Sequence, residues 1–131
     1  MKVLVLSFYY EPDLCAGSFR TTALIKALGK FSNIDIEVVS TLPNRYASFS
    51  ADAPAYQEAG NLKVHRIKLP DHKSGMVDQA ISFITYYRAA MKIAKNGEYD
   101  VIYATSSRLF TALLGARIAR KKQLPLYLDI R

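Results

Sequence analysis

At 131 residues, half of them hydrophobic, the chain is long enough for one domain with a real core and too short for two of ordinary size. Its formal charge of +7, from 18 Lys and Arg against 11 Asp and Glu, favours anionic partners such as phosphates, nucleic acid or an acidic membrane surface. A single cysteine excludes an internal disulfide and a cysteine metal cluster, and no segment approaches membrane-spanning length.

The first predicted element is a strand over residues 2–8, built on the continuous apolar run Val3-Leu4-Val5-Leu6, as a strand covered on both faces should be. That run soon gives way to Tyr, Glu, Pro and Asp, which is not how a signal peptide continues. With the lone cysteine it points to a cytoplasmic protein. The stretch Phe8 to Arg20 then reads as the first βα loop of an α/β fold, where ligands bind outside the carboxyl ends of parallel strands. Pro12 stiffens the strand exit, and Ala16-Gly17 let backbone approach a ligand closely before a helix over residues 18–31 begins. Arg20, in its first turn, opposes the helix dipole and is tolerated best with an anion in front of it; an ordinary exposed arginine is the alternative. Ala23, Leu24, Ala27, Leu28 and Phe31 form the expected core stripe.

Residues 34–41 alternate Ile34, Ile36 and Val38 against Asp35 and Glu37, a strand with one face less buried than in the first. From 42 to 61 the chain is rich in Pro, Ser, Ala, Asn and Gly with scattered aromatics, a long loop that is either substrate-facing or disordered. Residues 62–69 carry apolar Leu62, Val64, Ile67 and Leu69 with a phase break at His65-Arg66, which suits an edge strand with a bulge; His65 and His72 read as solvated.

The longest helical pattern covers residues 74–95 and ends at the C-capping Asn96-Gly97. Val77, Ala80, Ile81, Phe83, Ile84, Tyr87, Ala90, Met91 and Ala94 make a broad apolar side. Part of it belongs against a sheet, and the rest, beside Arg88, Lys92 and Lys95, is either more core or an amphipathic surface for a membrane. A strand over 100–104 leads into Thr105-Ser106-Ser107-Arg108 and a helix over 109–120; the hydroxyls can cap that helix or donate to a substrate. Arg108 repeats the placement of Arg20, and two such arginines suggest an anion or polyol site. A last strand over 124–131 ends the sequence without a polar tail, as in a fragment of a longer chain.

This order predicts a Rossmann-like parallel sheet sandwiched by helices. A dehydrogenase fingerprint is missing, since Gly17 stands alone after the first strand, and there is no P-loop. No basic run interleaved with aromatics supports specific nucleic-acid binding.

The loop Tyr10-Glu11-Pro12-Asp13-Leu14-Cys15-Ala16-Gly17-Ser18-Phe19-Arg20 stands in place of a Pro-x-x-Gly-Gly-x-x-Arg loop. Together with Glu37-Val38-Val39-Ser40-Thr41, Asp100-Val101-Ile102-Tyr103-Ala104 and Leu128-Asp129-Ile130-Arg131, it resembles the N-terminal domain of GT-B glycosyltransferases. The likeness is to bacterial family 4 retaining enzymes that build O-antigen, capsule and other surface polysaccharides. It implies that residues 1–131 are the acceptor-side half of a two-domain, hexosyltransferase-type enzyme, inactive alone, with most of the nucleotide-sugar held by a second domain. Ala16, Gly17 and Ser18 would lie near the donor diphosphate. Arg20, Ser106, Ser107 and Arg108 would line the acceptor side, joined by Glu11 and Asp13 of the first loop and Asn44 and Tyr46 of the long one. The resemblance calls for no metal or cofactor beyond the nucleotide-sugar substrate. Under that resemblance, a lipid-diphosphate-linked saccharide acceptor on the inner face of the cell membrane fits the basic charge and the helix over 74–95. Ala16 replaces the family's first glycine, and Arg131 falls where many relatives carry a histidine. A non-catalytic Rossmann-like or flavodoxin-like module and half of a nucleotide-sugar epimerase are the competing readings.

Overall fold

The computed structural model describes residues 1–8, 10, 16–31, 33–41, 55–68, 76–105 and 109–129. In chain order these form β1 (Lys2–Leu6), α1 (Ala16–Leu28), β2 (Asp35–Thr41), β3 (Tyr56–Ala59), β4 (Leu62–Ile67), α2 (Met76–Asn96), β5 (Val101–Thr105), α3 (Leu109–Lys122) and β6 (Leu126–Asp129). The sheet order is β3-β4-β2-β1-β5-β6, parallel throughout except for the antiparallel pair β3 and β4. Without β3, this is the Rossmann order: two connections step one way from β1, and the chain then reverses to build outward on the other side. The switch point is the gap between the carboxyl ends of β1 and β5.

Alternate residues of the buried strands feed two separate cores. Leu4, Leu6, Val39, Ile102 and Ala104 face α2 and α3, which contribute Tyr86, Ala90, Ala94, Leu114 and Ile118. Val3, Val5, Ile36, Val38 and Val64 face the opposite way, where α1 contributes Ile25. Burial on both faces is why β1 reads as an unbroken apolar run.

Several expectations need correction. Part of the long loop is a strand: β3 pairs with β4 through a two-residue turn at Gly60-Asn61, with Gly60 at a φ of 59°. β4 is therefore internal. Its register against β2 and β3 is continuous, so the phase break at His65-Arg66 is not a bulge. Leu62 and Val64 pack on the α1 side while Ile67 packs on the other, so both faces of the strand need apolar residues. His65 is partly buried: its ring lies 5.0 Å from that of Tyr56, and its Nε2 is 3.7 Å from Glu37 Oε1. Residues 36–41 of β2 are all buried, so its second face is as covered as the first. Glu37 is accommodated because the Tyr99 hydroxyl donates to its Oε2 at 2.9 Å, and burial together with this carboxylate pushes the Tyr99 pKa up.

The stripe expected on α1 is also displaced. Ala23, Ala27 and Phe31 are exposed; of the expected stripe Leu28 packs on the core and Leu24 is half-buried, and the fully buried contacts are Ser18, Thr21 and Ile25. Small hydroxyl residues can face a core when they find a partner, and Thr21 Oγ1 lies 3.1 Å from Ser7 Oγ. On α2 the anchor is Tyr86, fully buried, with its hydroxyl donating to Val39 O at 2.6 Å and its ring edge-on to Phe8. Val77, Ile81 and Ile84, expected on the apolar side, face outward and are exposed. Among the described residues no helix is long and apolar enough to cross a membrane.

Candidate functional site

The carboxyl ends of the parallel strands bring together the most polar part of the sheet. Beyond β1, the carbonyl of Phe8 accepts hydrogen bonds from Thr41 Oγ1 at 2.7 Å and Ser40 Oγ at 3.3 Å, so the end of β2 fixes where the chain leaves β1. Tyr10 is buried there against the α1-side core. The contact between Ser7 and Thr21 sets the first turns of α1 over this edge.

Ala16 and Gly17 lie inside the first turn of α1, not in a loop before it. Their backbone amides, with that of Ser18, belong to the group at a helix start that has no intrahelical acceptor, and the dipole makes this end attractive to an anion. Ser18 is buried toward the sheet, whereas Phe19 and Arg20 project into solvent.

Arg20 is not alone. Its Nη2 donates to Asp129 Oδ1 at 2.8 Å, and the other carboxylate oxygen of Asp129 accepts the Tyr103 hydroxyl at 2.9 Å. Asp129 is buried to 7% exposure, while the Arg20 side chain keeps 60% of its surface in solvent. One side of the guanidinium is thus pinned by protein while much of the group remains accessible. A guanidinium has five donors, so a carboxylate on one edge leaves others for a ligand. The pair reaches from α1 across β5 to β6 and spans the sheet beside the switch point. Tyr127 stacks on Tyr103, with centroids 5.3 Å apart and rings 12° from parallel, and it is exposed.

Arg66 is a second cation on the same face, at the carboxyl end of β4. It is buried, donates to Gln57 Oε1 at 2.9 Å and lies 5.6 Å from the centroid of the Tyr10 ring. In the sequence it shows only as a break in strand phase, a cation set between apolar strand residues. Asp129 and Tyr103 were also missed as site residues. An acid ending the otherwise apolar run Leu126-Tyr127-Leu128 was the available mark of Asp129.

Glu11, Asp13, Asn44, Tyr46, Ser106, Ser107, Arg108 and Arg131 lie outside the described residues, as does His72. Of the expected site, the structure therefore brings Ala16, Gly17, Ser18 and Arg20 to one end of α1. Among the described residues no three of His, Cys, Asp and Glu are grouped so as to hold a metal ion.

No family model matches the chain, and no curated protein does. Among solved structures it is similar to a UGT transferase from Siraitia grosvenorii crystallised in complex with UDP, at 12% identity and a TM-score of 0.49. The match covers 97% of this chain and 27% of the other, so the chain spans about a quarter of that protein's length.

Two cavities among the described residues lie on the far side of the sheet. One is floored by Met91, Ala94 and Ile118 between α2 and α3, and the other lies along Leu113, Ala116 and Arg120 of α3. Neither touches the carboxyl edge.

Proposed function

We propose that this chain is the acceptor-side half of a GT-B retaining glycosyltransferase that moves a sugar from a nucleotide-sugar to a saccharide acceptor. The observation that carries the reading is the accessible Arg20, held by Asp129, which also accepts the Tyr103 hydroxyl, at the carboxyl edge of the sheet next to the amide-presenting start of α1. The loop resemblance supplies the reaction class, and the sheet order supports the position of the cleft.

In this reading the first amides of α1 face the donor diphosphate. They stabilise the charge that develops on it as the sugar–oxygen bond breaks, because their dipoles are fixed before the reaction begins. Arg20 orients the acceptor or the departing phosphate with the donors that Asp129 leaves unused. A second domain beyond residue 131 completes the cleft and binds most of the donor, so residues 1–131 alone give no turnover. Retention, transfer of a hexosyl group, a lipid-linked acceptor and work on the cytoplasmic face of the membrane in surface-polysaccharide synthesis are the finer parts of the proposal.

The test is to express the complete reading frame and follow nucleoside-diphosphate release from a panel of nucleotide-sugars, with and without lipid-linked saccharides. The anomeric configuration of the product is then read by NMR. Acceptor-dependent release with retained configuration supports the reading. Epimerised or free sugar without a new glycosidic bond contradicts it and favours the epimerase, and no turnover of any nucleotide-sugar favours a binding module.

A further inference from the structure

α2 and α3 run side by side in the same direction on one face of the sheet. Phe83 meets Phe110 at 4.7 Å near their starts, the Arg117 guanidinium lies 6.0 Å from the centroid of the Tyr87 ring midway, and Met91, Ala94 and Ile118 close the groove near their ends. Their outward faces change character in step. In the first halves the outward side chains are Val77, Ile81 and Ile84 on α2, then Leu109, Phe110 and Leu113 on α3; Val77 and Leu109 are more than 70% exposed. In the second halves they are Arg88, Lys92 and Lys95, then Arg117, Arg120 and Lys121, all exposed.

Neither helix has a carboxylate in its second half, and α3 has none at all. Among the described residues, none of Arg88, Lys92, Lys95, Arg120 and Lys121 forms an ion pair. Four lysines, Lys92, Lys95, Lys121 and Lys122, rim the apolar-floored groove of about 540 Å³ at the helix ends.

Six large apolar side chains in water are costly to leave exposed, and such a patch marks an interaction surface. The chemistry of the surround selects the occupant. Long cations of one sign, none of them paired with a carboxylate among the described residues, beside an apolar strip suit headgroups that can rearrange around them, with the aliphatic stems lying along the acyl boundary. We propose that the outward face of α2 and α3 is the surface by which this protein docks on an anionic phospholipid bilayer. The apolar halves enter the acyl boundary and the basic halves contact phosphate headgroups. The apolar halves are also those nearest the carboxyl edge of the sheet, the edge that carries the candidate site, although α1 and Arg20 lie on the opposite face, so a lipid-linked acceptor would reach the site around that edge. That last step rests on the transferase reading; the docking does not.

The test is flotation of this chain with phosphatidylcholine vesicles and with vesicles that also contain phosphatidylglycerol, at low and high salt, with no nucleotide-sugar present. Binding is expected to the anionic vesicles alone and to weaken with salt. Arg88→Glu/Lys92→Glu/Arg120→Glu lowers partitioning about a hundredfold or more, and Leu109→Ser/Leu113→Ser lowers it at least about tenfold. Lys26→Glu/Lys30→Glu on the other side of the sheet leaves it near the starting value, and circular dichroism checks that each variant is folded. Absence of flotation with both vesicles overturns the proposal. So does an equal loss from the α1 reversals, which would mean that total charge and not this face is responsible. Self-association abolished by Leu109→Ser/Leu113→Ser, without vesicle binding, would assign the face to a second copy instead. None of these outcomes bears on nucleotide-sugar turnover, so the two readings fail independently.

Discussion

Arg20 and Asp129 are 109 residues apart in sequence and meet at 2.8 Å, tying the start of α1 to the end of the last strand. Because Asp129 also accepts the Tyr103 hydroxyl, one buried carboxylate holds an arginine and a tyrosine in fixed relation across the edge of the sheet. The burden falls unevenly on the two partners. Asp129→Ala strips both donors of their acceptor and is expected to cost about 1–3 kcal/mol. The exposure of Arg20 limits the pair itself, so a double-mutant cycle of Arg20→Ala with Asp129→Asn should return a coupling of about 0.5–1 kcal/mol in urea melts.

Gly115 reverses the usual rule for a helix interior. A Cβ built on it would stand 2.6 Å from Ala104 Cβ, closer than carbon atoms approach, so α3 packs on β5 only because this residue has no side chain. Gly115→Ala, normally stabilising in a helix by up to about 1 kcal/mol, is expected to destabilise by about 1–3 kcal/mol. Ala104→Gly in the same chain should recover part of the loss in thermal melts.

Tyr86 links stability to alkaline pH. Burial pushes its pKa far above the ordinary value, so above about pH 10 the unfolded chain gives up the phenolic proton while the folded chain keeps it. The folded state then binds more protons, and stability present below that pH falls as pH rises. Tyr86→Phe should start from a lower melting temperature at pH 8, having lost the bond to Val39 O, and then fall less steeply between about pH 9 and 11.

How far the fold could be read in advance depended on how each element is buried. β1 and β5 were legible because strands covered on two faces leave short apolar runs, and the three helices because each repeats apolar residues at helical spacing. β3 was not, since Tyr56-Gln57-Glu58-Ala59 is exposed and has no core pattern; only the Gly60-Asn61 turn marked it. On α1 the spacing marked Leu28 but not Ser18 and Thr21, because hydroxyl residues stand there in place of apolar ones, a substitution that makes sense only once Ser7 is known to lie beneath. α2 is apolar over so much of its circumference that spacing alone did not select Tyr86 as its anchor. Arg20 was legible from its place at a helix start. Its partner was not, because a contact over 109 residues depends on strand order and no local spacing encodes that.

Whether Arg20, held by Asp129, works in a sugar-transfer cleft as proposed is read from steady-state nucleoside-diphosphate release by the product of the complete reading frame, with a panel of nucleotide-sugars and lipid-linked saccharides. Native protein, Arg20→Ala, Arg20→Lys and Asp129→Asn are compared under conditions where all four are folded. The expected result is a fall in kcat/KM of about a hundredfold in Arg20→Ala, less in Arg20→Lys, and by an intermediate factor in Asp129→Asn, where the guanidinium is present but has lost its carboxylate partner. Turnover in Arg20→Ala equal to that of native protein would contradict it.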